Sequence, residues 1–90
     1  MELKDLIREI HQLEWQMRAY EDKYGLLSRD FYEALQTGEL AEFDGEEGYH
    51  LDFLEWAGLY QIWLDRQRAY QELLRKQPFA EHIHRVTMVA

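Results

Sequence analysis

Leu3, Leu6, Ile10, Leu13, Met17, Tyr20, Tyr24 and Leu27 follow one another at intervals of 3, 4, 3, 4, 3, 4 and 3 residues. That is a coiled-coil-like a/d seam, widened by Ile7, and it fixes one long amphipathic helix at the start of the chain. The spacing predicts a helix over about residues 2–24, roughly 35 Å long at ~1.5 Å per residue. Glu14 and Arg18 form an opposite-charge i,i+4 pair in the favourable order, whereas Lys4 and Arg8 are a like-charge pair. Gly25 follows the last polar turn and suits a left-handed helix stop.

Ser28 is read as the cap of a short helix over residues 29–37, with Asp30 in its first turn and Phe31 and Leu35 facing inward. Gly38 ends it. Residues 39–48 hold two glycines and no clean period, and are predicted to be a loop or one irregular turn. Asp44 and Glu47 have the spacing of a capping box. A second long helix is expected from about His50 to Lys76, stopped by Pro78. Its row Phe53, Ala57, Tyr60, Leu64 lies beside a second row, Trp56, Leu59, Trp63, Tyr70. Gly58, inside that helix, costs about 1 kcal/mol relative to Ala. It points to the close approach of another backbone, helix one or a partner. In the tail, Arg85 to Val89 are β-branched in character and are read as a short strand or a free end.

The expected fold class is therefore all-α: two long antiparallel helices in a hairpin with a short intervening helix, and a possible C-terminal strand. Residues 1–78 form the helical domain and residues 79–90 a tail. Ninety residues support one small core. Two long helices bury one interface between them, so completion by a symmetric dimer or a different partner is expected.

Several functions are excluded or made improbable by composition. Without cysteine there is no disulfide framework and no thiolate metal site. No apolar run reaches the ~18–20 residues of a membrane span. The amphipathic start MELKDLIREI reads as neither a signal nor a transit peptide. A water-soluble, cytoplasmic chain is expected. Ser28, Thr37 and Thr87 are the sole hydroxyl side chains besides tyrosine, and no phosphate loop or dinucleotide fingerprint occurs, so no enzymatic activity and no cofactor are expected. His82 and His84 would point the same way on a strand and offer two nitrogens to Zn²⁺, but a third ligand is lacking, so no metal is expected.

Charge is distributed unevenly. The chain has 18 acids and 10 bases, a net charge of −8. Ten of the acids lie between Asp30 and Asp65, a segment without one Lys or Arg. Such a segment repels nucleic acid and attracts a basic surface. The expected partner-binding residues are accordingly the acids Glu39, Glu42, Asp44, Glu46 and Glu47. The aromatic face Trp56, Leu59, Tyr60 and Trp63 joins them, because its two apolar rows exceed the arc one partner helix covers. Packing of both rows inside the fold is the competing reading, as a plain solvated face is for the acids.

The words Lys23-Tyr24-Gly25, Ser28, Phe31-Tyr32, Gly38-Glu39-Leu40, Phe53 and Glu55-Trp56-Ala57-Gly58-Leu59-Tyr60 resemble a group of small bacterial helical proteins regarded as antitoxin-like components of toxin–antitoxin modules. The resemblance spans about residues 20–65 and contains no catalytic signature. The interval from Tyr24 to Ser28 is one residue longer than in the family pattern. The resemblance implies a protein that binds and neutralises a basic, RNase-like partner encoded beside it. A DNA-binding role is not expected, since no basic recognition helix is present. Two alternatives stand: an acidic mimic of nucleic acid of the phage type, and a structural subunit whose helices complete an oligomeric bundle.

Overall fold

A computed structural model describes residues 2–89. Its helices are α1 (Leu3–Tyr24), α2 (Ser28–Thr37), α3 (Ala41–Asp44), α4 (Glu47–Arg75) and α5 (Phe79–Val89), and no strand occurs among the described residues. The molecule is elongated, 52 × 23 × 20 Å.

The a/d seam of α1 does what its spacing requires. Leu3, Leu6, Ile10 and Met17 are buried, and Leu13, Tyr20 and Tyr24 are half-buried, but Leu27, the last position of the predicted seam, lies beyond α1 and is exposed. Gly25 ends α1 at φ 71°, where its N–H donates to the Glu21 carbonyl over 2.8 Å. A side chain at that φ would be strained, which is why the stop falls on a glycine. Gly38 ends α2 the same way at φ 86°. Polar links between α1 and α4 run in opposite order along the two helices. Lys23 pairs with Asp52 (2.7 Å), the Trp63 indole donates to Glu14 (3.0 Å), and Arg66 donates to Glu9 (2.8 Å). An antiparallel pair gives that order. Glu14 thus serves Trp63 across the interface as well as lying one turn from Arg18.

The core is centred on Trp56, which is fully buried together with Phe31. The Phe31 ring lies parallel to the indole at 3.8 Å between centroids, and Tyr20 and Tyr24 stack on it at 5.7 Å each. Burying an indole buries its N–H, which must find an acceptor. Ser28 supplies it: Trp56 Nε1 donates to the Ser28 hydroxyl over 2.8 Å, and that hydroxyl donates onward to Glu21 Oε2 over 2.7 Å. The same Glu21 oxygen accepts the Ser28 backbone N–H at 2.9 Å. Ser28 is therefore the first residue of α2, not its cap. Leu27 occupies the cap position, and the first donor of α2 is satisfied from α1 by Glu21.

Three further expectations are corrected. The acidic connection is not wholly irregular: α3 forms over Ala41–Asp44, and α4 starts at Glu47, one turn earlier than His50. Asp44 and Glu47 form no capping box, because Glu46 holds the cap position and no side chain bonds there. The Asp44 carboxylate lies instead 3.2 Å from His50 Nδ1. Finally, residues 79–89 are a helix and not a strand. Glu81 and Arg85 pair at i,i+4 over 3.7 Å, and Thr87 Oγ1 donates to the Ile83 carbonyl over 2.8 Å. β-branched residues are only weakly disfavoured in helices, so their presence does not specify a strand.

Replacing Trp56 by Ala is expected to cost about 3–5 kcal/mol. That approaches the whole stability of a domain this small, so far-UV circular dichroism should lose its helical signal at much lower urea. Ser28→Ala, which leaves the indole N–H without an acceptor, is expected to cost about 1–3 kcal/mol in the same titration.

Candidate partner interface

The end of the molecule where α1 stops and α4 begins is built from aromatic side chains. Tyr24 meets Phe53 edge-on at 5.6 Å and Tyr49 at 6.1 Å. Phe43, carried by α3, meets Tyr49 edge-on at 5.7 Å. α3 reaches this position because the left-handed turn at Gly38 reverses the chain after α2. Between Tyr24, Leu26, Phe43 and Tyr49 opens a notch of about 170 Å³, floored by Phe31 and Trp56. Its rim is apolar and in solvent: Leu26, Phe43 and Tyr49 are exposed, as is nearby Leu27.

Glu39, Glu42, Glu46 and Glu47 lie on the same short stretch and are exposed. Among the described residues none of these four carboxylates is paired with a base. Asp44 is half-buried beside His50. Asp52, also in the acidic segment, is clipped by α1. Lys23 Nζ and the Tyr24 hydroxyl both donate to its Oδ2, at 2.7 and 2.5 Å. These two donors hold the Asp52 carboxyl below its ordinary 3.8. The contact with Asp52 raises Lys23 in turn. Burial, then the bond to Asp52, raises Tyr24, and burial with the nearby Glu55 charge pushes Tyr20 up to about 12.

The aromatic face expected to meet a partner is placed differently. Trp56 and Tyr60 are in the core, and Leu59 and Trp63 are half-buried against it. Trp56 and Tyr60 are therefore not available to a partner, while Leu59 and Trp63 are partly covered. Tyr32 on α2 covers Tyr60 at 4.9 Å, and Trp63 stacks on Tyr60 at 5.5 Å. The apolar rows exceeded one helix's reach because they serve two, α1 and α2.

What reaches solvent is elsewhere. Trp15 is 71% exposed on α1, and Leu51, Leu54 and Ile62 are exposed on α4. Tyr49 belongs to the Phe53 row, one turn earlier, and extending that row back by four residues would have found it. Trp15 is signalled by its place two residues before Met17, which on a helix means the opposite side.

A larger cavity, about 460 Å³, lies at the far end between the start of α1, the end of α4 and α5, lined in part by Leu3, Leu73, His82 and Val86. It contains His82 without His84. Two residues apart on a helix the imidazoles diverge by about 200°, so the H-x-H pair offers no shared metal position. Among the described residues no three His, Asp or Glu side chains converge as a metal would require. No described helix is long and apolar enough to cross a membrane. No protein-family model, no curated protein and no solved structure matches the chain.

The Lys23–Asp52–Tyr24 clip sets a pH window. Asp52 is lowered, so its contribution is complete above 3.8 and is lost as pH falls through the lowered value. Tyr24 and Tyr20 are raised, so theirs is complete below 10 and is lost as pH rises through each raised value, about 12 for Tyr20. Thermal melting against pH should show a plateau with two falling limbs, and Asp52→Asn should flatten the acid limb while lowering the plateau.

Proposed function

We propose that the chain is a cytoplasmic, non-enzymatic interaction protein, an antitoxin-like inhibitor of a basic, RNase-like partner. The helical hairpin of α1 and α4 is the frame, and the acidic aromatic end is the binding surface. The observation that carries this reading is the apolar notch rimmed by Leu26, Phe43 and Tyr49 beside four unpaired carboxylates. An apolar centre that water leaves, with carboxylates on the neighbouring stretch of chain, suits an interface with a basic partner. The word pattern over residues 20–65 supports the same assignment, since Tyr24, Phe31 and Phe53 of that pattern line or floor the notch.

Trp56, Leu59, Tyr60 and Trp63 then act on binding only by holding the notch in shape. Glu39, Glu42, Glu46 and Glu47 steer the encounter, and Phe43 and Tyr49 supply the anchor. This division separates the reading from a nucleic-acid mimic, in which carboxylates would do nearly all the work.

The test is genetic and then calorimetric. The product of the neighbouring open reading frame should arrest bacterial growth, and this chain should relieve the arrest by forming a complex. Phe43→Ser together with Tyr49→Ser should weaken that complex by about 30-fold or more, the size expected of interface anchors. Changing Glu39, Glu42, Glu46 and Glu47 to Gln should slow association and flatten its dependence on salt, with a smaller effect on dissociation. A neighbour that neither arrests growth nor binds overturns the inhibitor reading. Full loss of binding on charge removal, with none on loss of Phe43 and Tyr49, replaces it with the nucleic-acid mimic.

A further inference from the structure

The outward face of α4 carries an apolar stripe that the chain's own fold does not use. Leu51, Leu54 and Ile62 are 62%, 59% and 44% exposed. Each sits two residues from a buried neighbour: Leu51 from Phe53, Leu54 from Trp56 and Ile62 from Tyr60. Two residues turn a helix by about 200°, so the stripe faces directly away from the core. Gly58 lies in its middle, two residues from both Trp56 and Tyr60. A Cβ placed there would meet nothing within 4 Å. Helix one does not approach it, contrary to one option its sequence position suggested. Glycine weakens a helix interior, and nothing inside this chain explains its presence.

The order of the stripe indicates what covers it. Leu54 precedes Gly58 by four residues and Ile62 follows it by four. A second α4 laid antiparallel, with Gly58 on the two-fold axis, sets Leu54 of each copy against Ile62 of the other and Gly58 against Gly58. Charge selects the same direction. From Glu47 to Gly58 the helix carries Glu47, Asp52 and Glu55 and no Lys or Arg. From Leu59 to Arg75 it carries Arg66, Arg68 and Arg75 against Asp65 and Glu72. Asp52 is held by Lys23 and Arg66 by Glu9 of the same chain, so the complementarity lies at the ends of the contact: antiparallel pairing brings Glu47 level with Ala69, next to Arg68, and sets Leu51 level with Asp65 at the rim. Parallel pairing would set acidic half on acidic half.

We propose that the outward face of α4 is the contact of a symmetric homodimer, two copies crossing antiparallel at Gly58. A contact of this kind is isologous and closes at two copies. The bare backbone at Gly58 lets the helices approach closely, as small residues at helix crossings do. The surface is separate from the acidic aromatic end, and the inference does not rest on the inhibitor reading.

The test uses the full chain alone. Sedimentation velocity across a concentration series should show a monomer–dimer equilibrium that stops at the dimer. Gly58→Lys improves helix propensity and meets no atom of its own chain, so the monomer stays folded. It should weaken the dimer by more than about tenfold, since two like charges then face each other across the axis. The chain lacks cysteine, so single cysteines report the register. Gly58→Cys should cross-link two copies under mild oxidation. Leu51→Cys should not, because its two copies would lie roughly 21 Å apart along the axis, far beyond disulfide reach. A chain that stays monomeric at every concentration overturns the proposal. So does cross-linking through Leu51→Cys as fast as through Gly58→Cys, which marks a parallel pair. Loss of the dimer in Trp15→Ala but not in Gly58→Lys also overturns it, by moving the contact to the outer face of α1.

Discussion

The buried indole N–H of Trp56 is the constraint to which the rest of the architecture answers. An indole enclosed by Phe31, Tyr20 and Tyr24 cannot reach water, so its single donor must be satisfied inside. The acceptor, Ser28, has a hydroxyl that both accepts from Trp56 and donates to Glu21. Because these three residues belong to α4, α2 and α1, one short chain of bonds fixes the mutual position of the three helices. It leaves no buried side-chain polar atom without a partner among the described residues. Aromatic stacking alone would let α2 slide along α4, since face-to-face contact is tolerant of small shifts. The Trp56–Ser28 bond is not, and it locks the register in which Phe31 covers the indole.

The placement of α2 has consequences downstream. α3 follows it after the turn at Gly38 and has no buried residue of its own. Its position depends on Phe43 against Tyr49 and on Leu40, which packs against the core cluster. Few buried contacts mean low local stability. The acidic aromatic end is thus carried by a weakly held segment that is anchored to the core. Lys23 and Tyr24 add a second anchor through Asp52, holding the start of α4 to the end of α1.

Much of this was readable in the sequence, for a definite reason. The a/d seam of α1 is long and regular, and glycine at φ > 0 is the ordinary helix stop, so α1 and its end at Gly25 follow directly. The α4 core was legible as a set of positions but not as a destination. Periodicity says that Trp56 and Tyr60 share a side of a helix; it does not say whether α1, α2 or another molecule covers that side. Ser28 was misassigned for a related reason. A serine before an acidic first turn is normally a cap, and only the three-dimensional neighbour Glu21 reveals that the capping comes from another helix. The helix of the tail is not legible because β-branched residues carry only a weak preference against it. Tyr49, Leu51 and Trp15 were overlooked although their phases relative to Phe53 and Met17 were available.

The surface of α4 then divides by what each side can be paired with. Its inner side is saturated by α1 and α2 and has nothing left to offer. Its outer stripe has Leu54 and Ile62 four residues to either side of Gly58, the spacing on which the proposed contact with a second copy rests. Its first turn is different in kind: Glu46 and Glu47 adjoin an apolar notch, and the bases nearest in sequence, Arg29 and Arg66, lie outside the acidic segment. Like charges repel, and Lys23 relieves that repulsion at Asp52 but pairs with none of Glu39, Glu42, Glu46 and Glu47, which leaves these to cations from outside the chain. Salt does this without selectivity. A basic protein does it with selectivity if it also fills the notch, because the carboxylates and the aromatic rim must then be matched at once. Attraction alone would bind any cation, and the apolar notch alone would bind weakly. On the proposed reading, it is their adjacency on one end of α4, held in shape by Trp56, that would let the surface discriminate.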